Sequence, residues 1–180
     1  MLRIVLYIIL ISNSVLNCFG QGYRLVDVQK VSIYGVNFDD NELSVIEQKI
    51  GKPATINKEF DEEMQIFRIS YGYDSLNLEF TELKGKTYLD YIEILSPKHK
   101  LHVEDKIICV GDHKDKLEKI FPLAFENFEK SETPVNIKKD VLKVYMKYDT
   151  GSEWVFYGKI VFKIKNNIIV SMYVVYSAEF

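Results

Sequence analysis

A covalent brace is the first thing this sequence lacks. It holds two cysteines, Cys18 and Cys109, and Cys18 falls in an apolar leader expected to be removed on export. One remaining thiol makes no internal disulfide even in an oxidising compartment, so the fold must rest on its apolar core. Cys109 lies within Ile107-Ile108-Cys109-Val110 and reads as a buried, inert thiol. A nucleophilic cysteine would need an activating base and an exposed, electropositive setting.

Basic charge is scarce as well. Without the leader the chain carries 22 Lys and Arg against 26 Asp and Glu, a net charge near −4. No strongly basic stripe survives, which argues against a nucleic-acid partner. Of the 3 histidines, His99 and His102 have a spacing that could share a metal on a helix. They follow Pro97 in a lysine-rich connector with no cysteine or carboxylate cluster beside them, and read as solvated loop residues. His113 reads as a turn or cap residue.

Catalytic signatures are missing too. There is no glycine-rich phosphate loop, no G-x-S-x-G elbow, no H-E-x-x-H helix and no CxxC pair. The densest acidic run, Asp61-Glu62-Glu63, lacks the spaced oxygens and the glycine common in calcium loops and reads as a solvated loop. These absences lower the expectation of an enzyme. No catalytic residue, metal ligand or cofactor is assigned.

What is present begins with an address. Arg3 precedes the apolar run from Ile4 to Ile11, which breaks into Ser12-Asn13-Ser14. That is the pattern of a signal peptide over residues 1–20, and the run is far short of the ~20 apolar residues a membrane span needs. Cys18 and Gly20 put small residues where a signal peptidase inspects them, leaving Gln21 as the new N-terminus. A second reading makes Cys18 a lipidated first residue, because Val15-Leu16-Asn17-Cys18 loosely resembles a lipobox, although Asn17 is a poor residue at that place. The expected location is the periplasm or the exterior of a bacterium, either free or held at the outer membrane through Cys18.

The remainder follows one plan twice. Val31 to Val36, a polar break and a helix over Glu42 to Ile50 closed by Gly51-Lys52-Pro53 are answered by Ile107 to Val110, a break at Gly111 to Asp115 and a helix from Lys116 to Ile120 before Pro122. Tyr73-Asp74-Ser75 then answers Tyr148-Asp149-Thr150, and Leu78-x-Phe80 answers Trp154-x-Phe156. A final strand closes each half, Tyr88 to Leu95 and Ile168 to Ser177. The expected fold is α+β, with two tandem repeats over residues 21–97 and 98–180. Each repeat is a short helical segment packed on an antiparallel sheet of about three to four strands.

Leu43, Ile46 and Ile50 mark the inward face of the first helix, with Asp39, Asp40 or Asn41 as its cap. In the second half Leu117, Ile120 and Phe121 face inward, Ala124 to Phe128 extends the helix, and Lys130 to Lys139 reads as a polar loop. Alternation then places Trp154, Phe156, Gly158, Ile160, Phe162 and Ile164 on one face of a strand, and Ile168, Val170, Met172, Val174 and Tyr176 on its partner, joined by a tight turn at Asn166-Asn167. The opposite face is expected to carry Lys143, Tyr145, Lys147, Val155, Tyr157, Lys159, Val161, Lys163, Ile169, Ser171, Tyr173 and Val175. The first half would add Asn77, Glu79, Leu89, Tyr91 and Glu93.

A solvent-facing sheet should be largely polar, yet this one keeps a tyrosine on each strand. Cross-strand aromatic pairs stabilise sheets without any ligand, but rings with polar tips are also what protein interfaces concentrate. Tyr91, Tyr145, Tyr157, Lys159 and Tyr173 are therefore the candidate contacts.

With helix, Y-D turn, L-x-F or W-x-F strand and return strand in place, the chain resembles the β-lactamase-inhibitory-protein-like fold, which includes small outer-membrane assembly lipoproteins of the SmpA/OmlA kind. The resemblance rests on Val36 to Pro53, Tyr73 to Phe80, Val110 to Pro122 and Tyr148 to Phe156. It implies two helix-plus-sheet repeats whose sheets join and present a concave face to a partner protein. It departs in one respect, since the tandem inhibitors are braced by disulfides. No contact residue of such an inhibitor can be matched here, so β-lactamase inhibition does not carry over. The expected function is a non-catalytic module that binds another envelope or extracellular protein. An envelope assembly lipoprotein anchored at Cys18 is the alternative, and a small-ligand binder or hydrolase is a third class that would need a deep pocket between sheet and helices.

Overall fold

The computed structural model describes residues 25–38, 42–130, 140–149 and 154–176. Cys18 and the leader, the caps Asp39 to Asn41, and the polar loop up to Lys139 lie outside the described residues, as do the side chains of Trp154 to Tyr157. The fold is mixed α+β and mostly sheet.

Among the described residues eleven strands form two sheets. In chain order they are β1 (Val26–Asp27), β2 (Val31–Ile33), β3 (Thr55–Asp61), β4 (Ile66–Tyr73), β5 (Leu76–Leu83), β6 (Lys86–Ile94), β7 (Lys100–Val103), β8 (Lys106–Cys109), β9 (Val141–Asp149), β10 (Trp154–Lys165) and β11 (Ile168–Tyr176). The large sheet has eight strands in the order β1-β9-β10-β11-β6-β5-β4-β3 and the small one runs β2-β7-β8. Every pairing in the large sheet is antiparallel except the short parallel one between β1 and β9. Three α-helices, α1 (Leu43–Ile50), α2 (Asp115–Ile120) and α3 (Pro122–Lys130), and a single 3-10 turn over Val28–Lys30 complete the described structure.

Turn chemistry explains the hairpins. Asn166 and Asn167 both adopt positive φ, 52° and 64°, as a two-residue primed turn requires; asparagine tolerates that region better than most residues. Lys84 and Gly85 repeat the device between β5 and β6, with φ of 52° and 76°. Helix α1 ends where Gly51, at φ 100°, donates its N–H to the Glu47 carbonyl. Phe121 separates α2 from α3, so the second helical segment is two short helices. Its buried ring lies 5.9 Å from that of Phe162.

One face of the large sheet makes the core. Leu78, Phe80, Ile92, Ile94, Val144, Ile160, Phe162 and Val174 are buried there against Val31, Ile33, Leu101 and Ile108 of the small sheet and against Ile46, Leu117 and Phe125 of the helices. Strands β6 and β11 meet through the pairs Ile94–Met172, Glu93–Tyr173, Ile92–Val174 and Tyr91–Val175. This seam joins the two halves of the chain into one continuous sheet.

Three register shifts correct the expected alternation. Glu79 pairs with Tyr91 but Phe80 pairs with Leu89, so Asp90 is an extra residue and Leu89 turns into the core. Lys163 pairs with Ser171 but Ile164 with Ile169, so Val170 is extra. Ile169 is buried and Val170 is 42% exposed, the reverse of their expected places. A third shift, between Phe156 and Gly158 on β10, interrupts the alternation read through Trp154 to Ile164 and leaves Tyr157 as the extra residue.

Three strands were not foreseen, the first of them the two-residue β1. β3 is an edge strand exposed along nearly its whole length, and β7 occupies what reads in the sequence as a connector. His99, just before β7, is 4% exposed rather than solvated. Its Nε2 donates to the Asp74 carbonyl, which can only accept, so Nδ1 accepts from the Tyr34 hydroxyl at 2.9 Å. His102 is a strand residue of β7 paired with Ser32 and Ile107. Cys109 is half-buried rather than buried, at the end of edge strand β8.

Candidate interaction face

The face of the large sheet turned away from the core follows from the cross-strand register. Reading across one row gives Tyr145, Lys159, Val175, Tyr91, Glu79, Ser70 and Asn57 on β9, β10, β11, β6, β5, β4 and β3. The next row runs Lys143, Val161, Tyr173, Glu93 and Asn77. Most of these side chains are half-buried by their neighbours on the sheet, while Lys143, Glu79 and Asn57 are exposed.

Four of the five candidate contacts have described side chains, and the sheet brings them onto this face. Tyr91 and Tyr173 sit beside the seam with ring centroids 5.9 Å apart. Tyr145 and Lys159 are direct cross-strand partners on β9 and β10, further out. Tyr157 occupies the register shift on β10, and its side chain lies outside the described residues, as does Cys18.

Several contributors were not singled out by sequence reading. Lys163 donates to the Tyr173 hydroxyl at 2.8 Å, and its ammonium stands 4.6 Å from that ring's centroid. The hydrogen bond to Tyr173 raises the lysine above its ordinary value. On the other side of the seam Asn77 donates to Glu93 at 2.7 Å. Burial, then Glu93, Tyr173 and Glu79, push the Tyr91 hydroxyl well above the usual tyrosine value. It is therefore a neutral donor at any physiological pH. Thr81, also on this face, donates to the Asp90 carboxyl at 2.5 Å. Burial nonetheless holds that carboxyl above its ordinary value.

Charge divides at the seam. Lys143 and Lys147 on β9 and Lys159 and Lys163 on β10 make the C-terminal half basic. Glu79, Glu93 and Asp90 make the adjoining part of the other half acidic. Further out, Arg68 on β4 is taken up by Asp61 on β3 at 3.1 Å. The signal for this division was in the sequence as lysines four apart on successive strands, but only the strand order shows that they share one side.

Other clefts lie elsewhere. One of about 240 Å³ is lined by Lys114, Phe128, Asp140 and Ile164, and one of about 200 Å³ by Val26, Val103, Lys106 and Phe121. Among the described residues no group of three or more His, Cys, Asp and Glu could hold a metal ion. Among them, too, no helix is long and apolar enough to cross a membrane. Set against known proteins, the chain matches no family model, no curated protein and no solved structure.

Proposed function

We propose that this chain is an exported, non-catalytic module of two tandem α+β repeats that binds another envelope or extracellular protein through the open face of its large sheet. The observation that carries the reading is a face that no element among the described residues covers, with Tyr91 and Tyr173 in ring contact at its middle and charged side chains of opposite sign on either side. Rigid aromatic bodies with polar tips give contact area at small entropic cost and are concentrated at the centres of protein interfaces.

The strand order supports the tandem reading. β4-β5-β6 and β9-β10-β11 run in the same sequence from outside to seam, and the last strand of each half pairs antiparallel with the other. Tyr73 near the outer strand's end in one half corresponds to Tyr148 in the other, and both pack against the core.

The test is the double substitution Tyr91→Ala, Tyr173→Ala. The tagged variant should lose capture of the partner that the unaltered protein retains from its own envelope extract. Loss of the ring contact costs about 1 kcal/mol beyond the area the two half-buried rings cover, so circular dichroism first establishes that the variant is folded. Capture at the unaltered level by a folded variant would refute the assignment of the face.

A further inference from the structure

We propose that a second copy of this chain fits the open face, forming a face-to-face dimer about a two-fold axis parallel to the strands and lying over the β6–β11 seam. The inference rests on the open face being the binding face, and it names the partner. The geometry is contained in the register. Lys159 on β10 and Glu79 on β5 lie in the same row, each the second strand from the seam on its own side, with Val175 and Tyr91 between them.

A two-fold axis along the seam exchanges the two sides and keeps the row. Lys159 of one copy is thereby set over Glu79 of the other, and the pair occurs twice. By the same operation Glu93 of each copy comes over Tyr173 of its mate, whose hydroxyl Lys163 holds, and the rings of Tyr91 and Tyr173 from both copies collect at the axis. Such an interface is isologous, as closed dimers require.

Two further points favour this occupant. Among the described residues neither Lys159 nor Glu79 makes an ion pair within the chain, so both charges are available to a partner. Spacing also fits. The seven longer strands, of 7 to 12 residues and about 4.8 Å apart, offer roughly 900 Å² of sheet face, near the roughly 800 Å² per partner that a stable interface buries. Aligned sheets pack about 10 Å apart, a gap that a lysine and a glutamate reaching toward each other can close.

Sedimentation velocity across a range of concentrations tests the proposal. The unaltered protein should sediment as a dimer whose association weakens as salt is raised. Lys159→Glu alone and Glu79→Lys alone should each weaken association roughly a hundredfold, because each homodimer then opposes like charges twice. An equimolar mixture of the two variants should recover dimer. In the mixed pair the two substituted side chains face each other with opposite charge, and the unaltered Lys159 of one chain faces the unaltered Glu79 of the other. Recovery on mixing also shows that both variants are folded.

A protein that is monomeric at every concentration, a dimer that neither substitution weakens, or variants that stay apart when mixed would each overturn the proposal. If self-association fails while Tyr91→Ala, Tyr173→Ala still abolishes capture of a different protein, only the second-copy inference falls and the reading of the face stands.

Discussion

Gly158 stands where the sheet tolerates no side chain, and Gly158→Ala measures how tightly. Its φ is +134°, a conformation that L residues rarely adopt, and an added Cβ would lie 2.1 Å from the Val175 carbonyl oxygen and 3.1 Å from both the Val175 carbonyl carbon and the Tyr176 Cα. All three are backbone atoms, so no rotamer change can relieve the overlap and β11 must move away from β10. The unusual dihedral costs about 1–3 kcal/mol and forced overpacking about 1–3 kcal/mol more, giving a loss of about 4 kcal/mol. Gly35→Ala is the control, because Gly35 also has positive φ, 73°, but nothing lies within 4 Å of its added Cβ. That change carries only the left-handed penalty, about 1–2 kcal/mol. Urea unfolding followed by tryptophan fluorescence or circular dichroism, with both variants sharing one m-value, should separate the two midpoints by an amount equivalent to about 2 kcal/mol or more. Equal losses in the two variants would refute the argument that the β10–β11 approach is what excludes a side chain.

Two further outcomes follow from buried polar groups. The Tyr176 hydroxyl is buried without a hydrogen-bond partner among the described residues, so Tyr176→Phe should raise stability by about 1 kcal/mol in the same urea titration; a loss would mean that the hydroxyl has a partner. Burial raises the Asp90 carboxyl above the value of about 3.9 it takes in the unfolded chain. Its contribution is therefore fully present below that value and is lost as pH rises through the higher folded-state value. Asp90→Asn should remove that decline, and a stability-versus-pH profile that keeps the same slope in this interval would count against it.

Local features were readable in the sequence and the irregular ones were not. Helix α1, the Asn166-Asn167 turn and the placing of Tyr91 and Tyr173 on one face all depend on spacings of a few residues, which side-chain periodicity reports directly. Leu89, Ile169 and Val170 were misplaced because each lies beside an extra residue in the ladder or is that residue. A single bulge reverses the parity of everything beyond it, and nothing in the composition of Leu-Asp-Tyr or Ile-Val-Ser announces one. Strand β3 escaped because an edge strand exposed on both faces has no buried side to pattern. His99 escaped because its burial depends on Tyr34 and the Asp74 carbonyl, both far away in the chain. The two-sided charge of the open face needed the strand order, and that order is fixed by the β6–β11 pairing between distant segments.

That seam also sets the order in which the molecule can be completed. β6 finds β5 as soon as the Lys84-Gly85 turn closes, but its other side must wait for β11, which comes near the end of the chain. A chain emerging from its N-terminus would carry Tyr91 to Ile94 as an open strand edge until residues 168–176 arrive, and such non-local closures are slow. During that interval the half-built sheet is a template for any other strand, including β11 of a neighbouring copy. The delay falls on the segment that brings Tyr91 and Tyr173 together, so the face exists only once the last strand is home.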